Sequence, residues 1–107
     1  MKLEHKILKH LIFDGEYTRT VLPFLKKEYF SETAEITLFD EIYKHIHEYK
    51  SRPTKESLLI QIDKNSSLSE NLHKETQTLV KEVTINSDIQ DSDWLIDTTE
   101  KFCKQKA

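Results

Sequence analysis

Glycine is almost missing from this chain: 107 residues contain one, Gly15. A phosphate-cradling P-loop needs two glycines within one motif, and a dinucleotide fingerprint needs two or three. Neither fits, so nucleotide chemistry is excluded on composition. Cysteine is as scarce. Cys103 stands alone and cannot form an internal disulfide, which fits a reducing cytosol. No run approaches the roughly 20 apolar residues of a membrane-spanning helix. Met1-Lys2-Leu3-Glu4-His5-Lys6 has no apolar stretch behind it, so no secretory signal is expected. An excess of positive charge is also lacking: 16 basic against 19 acidic side chains give a net charge of −3. A dedicated nucleic-acid binder usually presents a strongly basic face. Two local groups remain to be weighed, Lys2, Lys6 and Lys9 near one end and Lys101, Lys104 and Lys106 near the other. Lysines in a last helical turn also suit the helix dipole.

What remains is enough for one small core, since domains usually run to about 100–150 residues. With two prolines and apolar residues recurring at i, i+3 and i+4, the pattern is all-α. The spacing predicts a first helix over Leu3–Phe13, ended by Asp14-Gly15 with glycine as the left-handed residue. A second is expected to start near Thr20 with Pro23 in its first turn, or to kink there. Ser31 is the expected cap of the longest helix, about residues 32–50, with Phe39, Ile42, Ile46 and Tyr49 as its stripe, widened by Leu38 and Tyr43. Pro53 breaks it. Thr54 then caps a helix that buries Leu58, Leu59 and Ile62. After a serine loop, Ser67-x-x-Glu70 has capping-box form ahead of a fifth helix carrying Leu72, Thr76, Leu79, Val80 and Val83. Residues 86–91 read as a polar connector. Ser92 or Asp93 is expected to cap a last helix, which has no stop signal before Ala107 and so reads as part of a longer element. The division is a helical bundle over residues 1–86 and a connector with the start of a hairpin helix over 87–107.

Catalytic and metal patterns are not evident. His45 and His47 are two residues apart, a turn of about 200° on a helix, so their rings diverge. His5 and His10 diverge similarly, and no His-Glu-x-x-His spacing exists. Asp88-x-x-Asp91-Ser92-Asp93 lacks the glycine and the twelfth-position glutamate of a calcium loop, and acids before a helix are explained by capping. Cys103 has no base placed beside it by the sequence. No catalytic, cofactor or metal residue is assigned. The apolar side of the last helix stands out instead. Trp94, Leu95, Thr98 and Phe102, with Cys103 near the same side, either pack back onto the bundle or form a protein interface.

Glu4-x-x-Ile7-Leu8-x-x-Leu11-Ile12-Phe13-Asp14, then Phe30, Leu38-Phe39-x-x-Ile42, and Pro53 ahead of Leu58, Leu59 and Ile62, resemble the N-terminal domain of DnaB-type replicative helicases. The resemblance is stronger to the hexameric helicases of large tailed phages. It runs through His10-Leu11-Ile12-Phe13-Asp14, Tyr17, Val21, Pro23, Glu28-Tyr29-Phe30, Glu48-Tyr49, Ser51 and Pro53, then Trp94-Leu95, Thr99-Glu100-Lys101-Phe102 and Ala107. Gly15 departs from the pattern. The resemblance implies a non-catalytic collar domain, a small helical bundle followed by a helical hairpin, serving ring assembly and primase contact in the primosome. It implies self-association in a hexamer and a location in the cytoplasm of an infected bacterium. A loader protein is a further candidate partner, and DNA contact by this domain is expected to be weak or absent. ATP and magnesium would belong to a separate motor domain. Two other classes stay open: a complete small helical adaptor that binds a host or replication factor, and a nucleic-acid binder using the terminal lysines.

Overall fold

A computed structural model describes residues 2–86, 88–89 and 91–107. Six α-helices follow in order: α1 (Leu3–Phe13), α2 (Gly15–Val21), α3 (Thr33–Tyr49), α4 (Lys55–Lys64), α5 (Glu70–Val83) and α6 (Ser92–Lys106). Two short 3₁₀ turns, Leu22–Phe24 and Lys27–Tyr29, join α2 to α3. No strand occurs among the described residues. The expected all-α bundle is therefore what forms.

α1 packs against α2, α3 and α5, while α5 also lies along α3 and α4. Ile7, Leu8 and Leu11 of α1, Leu38 and Ile42 of α3, Leu58 and Ile62 of α4, and Val80 and Val83 of α5 are wholly buried. α6 returns to the bundle along α2. There Tyr17 and Thr99 share a hydroxyl–hydroxyl hydrogen bond of 2.7 Å, and Phe102 meets Phe30 with ring centroids 6.2 Å apart. The Cα radius of gyration, 13.0 Å, is what a packed chain of this length should have.

Several local expectations are corrected. Gly15 is not a left-handed cap, since its φ is not positive; it is the first residue of α2. Asp14 makes the bend, accepting the Tyr17 N–H at 3.1 Å to cap α2 immediately after α1 ends. The second helix thus starts well before Thr20, and Pro23 falls in the 3₁₀ turn after it. Glu32, not Ser31, caps α3, with the Glu35 carboxylate accepting the Glu32 N–H at 3.2 Å. The far end of the α3 stripe is open: Tyr43 and Tyr49 are exposed and Ile46 is half-buried. Lys50 takes the left-handed conformation, φ 57°, that ends α3. Ser69, not Ser67, caps α5, through the Leu72 N–H at 3.2 Å. Asp91 caps α6 one residue ahead of the predicted position. Thr54 caps α4 as expected, accepting the Ser57 N–H at 3.1 Å.

Candidate interaction surface

α6 places the four residues singled out in sequence on two different sides. Successive helical residues are about 100° apart, so Trp94 and Leu95 diverge. Leu95 is fully buried and Phe102 is 6% exposed, both within the bundle core. They are not available to a partner in this arrangement. Thr98 is half-buried, and its neighbour Thr99 is the buried residue bonded to Tyr17. Trp94 is 50% exposed, with the Lys6 ammonium of α1 5.7 Å from its ring centroid. A cation over an indole face is held by the ring quadrupole, so the contact orients the indole on the surface. Cys103 is buried, and burial pushes its thiol up from the ordinary value, away from the thiolate a nucleophile needs.

The start of α6 is fixed from below. The Ser92 hydroxyl donates to Asp14 Oδ2, and Asp91 accepts the Asp93 and Trp94 N–H groups. Burial raises the Asp14 pKa, but the Ser92 hydroxyl, the Tyr17 N–H and nearby His10 outweigh it and hold the carboxyl below its ordinary value. Of the predicted connector acids, Asp91 thus acts as a helix cap.

A second apolar feature lies between α2 and α6. A groove of about 310 Å³ is lined by Val21, Phe24, Ile96, Thr99 and Cys103, with Phe24 65% exposed. A helix starting at Thr20 would run through Phe24; Pro23 is the sequence signal for the 3₁₀ turn that leaves it exposed.

The terminal lysines do not form an unpaired basic face. Lys2 pairs with Glu32 and Glu35, Lys9 is buried and donates to Asn86 at 2.8 Å, and Lys6 lies over Trp94. Lys101 and Lys104 pair with Asp97 and Glu100 one turn earlier, and Lys106 sits over Phe102. His45 and His47 diverge as expected, toward Gln61 and Tyr43. His5, weighed in sequence only against His10, instead meets Glu32 and Glu35. The Glu32-x-x-Glu35 spacing ahead of a helix was the legible part of that cluster.

Among the described residues, no helix is long and apolar enough to cross a membrane. No family model matches the chain. A DnaB-like replicative helicase of Enterobacteria phage T4 is 35% identical to it over 101 residues, a match covering 94% of this chain. The chain spans about a fifth of that relative's length, 21%. The resemblance to DnaB-type phage helicases carried by the sequence is thereby borne out, and along nearly its whole length this chain is similar to a small part of such a helicase.

Proposed function

We propose that this chain is a non-catalytic domain of a phage replicative DNA helicase, serving assembly of the helicase ring and contact with primase. One observation carries the reading: 94% of the chain aligns with a helicase of which it spans 21%. The fold supports it. A six-helix bundle whose sequence has one glycine offers no P-loop, so the contribution left to it is contact with other chains. ATP and magnesium would then act in a motor domain elsewhere in the protein. On this reading the protein works in the cytoplasm of an infected bacterium, and a loader is a further candidate partner.

Trp94 is the residue through which contact is proposed, with Thr98 beside it. Indole side chains dominate the energetics of many interfaces, and Trp94 is already half desolvated and held by Lys6. Leu95 and Phe102 are buried in the core and are not part of the proposed contact. The test is calorimetric titration of this chain against the primase from the same source. Binding is expected, and Trp94→Ala should weaken it by about 2 kcal/mol with an unchanged circular dichroism spectrum. Binding that Trp94→Ala leaves untouched would remove Trp94 from the interface. No binding at any concentration would remove primase.

The adaptor reading is favoured by a different observation: α6 folds back along α2 and completes the core, so the bundle closes on itself. It predicts capture of a replication or host factor without any association with helicase.

A further inference from the structure

A nitrogen donor and two carboxylates converge where the start of α1 meets the N-terminus of α3. His5 Nε2 and one oxygen each from Glu32 and Glu35 lie within 4.8 Å of one another. Glu35 is the unusual member, a carboxylate with a wholly buried side chain. Its Oε1 accepts the Glu32 N–H at 3.2 Å, which fixes the group. Its Oε2 turns into the cluster, 3.2 Å from His5 Nε2 and 2.8 Å from Lys2 Nζ. Glu35 Oε2 and His5 Nε2 are both buried and face each other, with the Lys2 ammonium on Oε2 as the charge that balances the pair. The Lys2 ammonium bridges the two carboxylates, 2.8 Å from Glu35 Oε2 and 3.0 Å from Glu32 Oε1. Two buried donor atoms thus face the same space, and a flexible side chain supplies the positive charge there.

Access is also present. A cleft of about 360 Å³ opens on His5 and Glu32 and is lined by Glu75 and Glu82 against one lysine, Lys74. A cleft with an excess of carboxylates concentrates cations. Lys2 is 40% exposed and precedes α1 in extended backbone, so its ammonium can swing into water without disturbing a helix.

We propose that His5, Glu32 and Glu35 form a binding site for a divalent cation of the zinc class, which takes the place of the Lys2 ammonium. One imidazole nitrogen with two carboxylate oxygens suits Zn²⁺, whereas Mg²⁺ prefers oxygen ligands and keeps its water. The backbone N–H on Glu35 is the kind of outer hydrogen bond that orients a metal-bound carboxylate. Bonds of about 2.0–2.2 Å require the donors to draw closer than they stand, and Glu32, 61% exposed, moves inward by giving up Lys2 and its side-chain part of the α3 capping box. His5 binds as the neutral imidazole, and Lys2 keeps its proton as it leaves. The site does not depend on the helicase reading.

Zn²⁺ alone, titrated calorimetrically into the purified chain with Co²⁺ absorbance as a second readout, tests the proposal. One equivalent is expected, unaffected by excess Mg²⁺. His5→Ala and Glu32→Gln, at partly exposed side chains that keep the core, should each weaken binding by about tenfold or more. Lys2→Met should tighten it by about tenfold, because a competing charge is removed. Thermal melts establish that each variant is folded. Absence of zinc uptake overturns the proposal. So does uptake that His5→Ala leaves unchanged, which would place the metal on His45, His47 or His73, and so does Lys2→Met failing to tighten binding.

Discussion

Asp14 joins three elements through one carboxylate. It ends α1, accepts the Tyr17 N–H to cap α2, and receives the Ser92 hydroxyl that anchors the start of α6. Loss of a helix cap costs about 1 kcal/mol, and this residue is also buried. Asp14→Ala should therefore destabilise the fold by about 1–2 kcal/mol at pH 7 in urea denaturation. The pH dependence follows from the sign of the shift. A carboxyl with a folded pKa below its ordinary 3.8 stabilises the native state above that pH, and loses the contribution as pH falls through the lower folded value. The gap between wild type and Asp14→Ala should thus be full at pH 7 and narrow below pH 3.8. An equal gap at both ends would mean that Asp14 acts through shape alone. Asp14 was visible in sequence at a helix end, but of its two carboxylate partners only Tyr17 is local, while Ser92 is 78 residues away.

α6 shows what apolar spacing reveals about an element and what it withholds. Leu95 and Phe102 are buried and Trp94 is not, so truncation should separate them. Phe102→Ala should cost about 3 kcal/mol of stability, and Trp94→Ala less than about 1 kcal/mol, by denaturant titration. Comparable losses would put Trp94 in the core and contradict its proposed role at the surface. Elements whose signals are local were legible. α1 has the predicted bounds, and α4 starts after Thr54 because the capping hydroxyl and Pro53 lie within a few residues of each other. The start of α2 was placed too late because its first turns are buried through Tyr17 and Thr18 against α1 and α6, contacts outside the apolar run that begins at Val21. The stripe of α3 was right at Leu38, Phe39 and Ile42 and failed at Tyr43 and Tyr49. α3 has 17 residues against 14 and 11 in α5 and α1, so its last turns run past the helices that cover it. In the candidate interface, helix phase was the missing quantity: adjacent positions 94 and 95 were assigned to one apolar side, either packed or at an interface, and only packing separates them.

At the scale of the whole molecule, charge and composition limit what the bundle can do. Most terminal lysines are answered by nearby acids or aromatic rings, which leaves little basic surface for phosphate. The core is closed by α6, and the exposed large apolar side chains that remain, Trp94 and Phe24 among them, are spread over several elements. The chain's central proposed role is to connect a replicative helicase to its own ring and to primase. The most direct measurement adds this chain, in excess, to a reconstituted reaction of the helicase and primase from the same source, and follows primer synthesis and ATP hydrolysis together. If the chain occupies the contact, helicase-stimulated primer synthesis falls while DNA-stimulated ATP hydrolysis by preassembled rings continues, and the Trp94→Ala chain inhibits less. Undiminished primer synthesis at saturating chain would contradict the account.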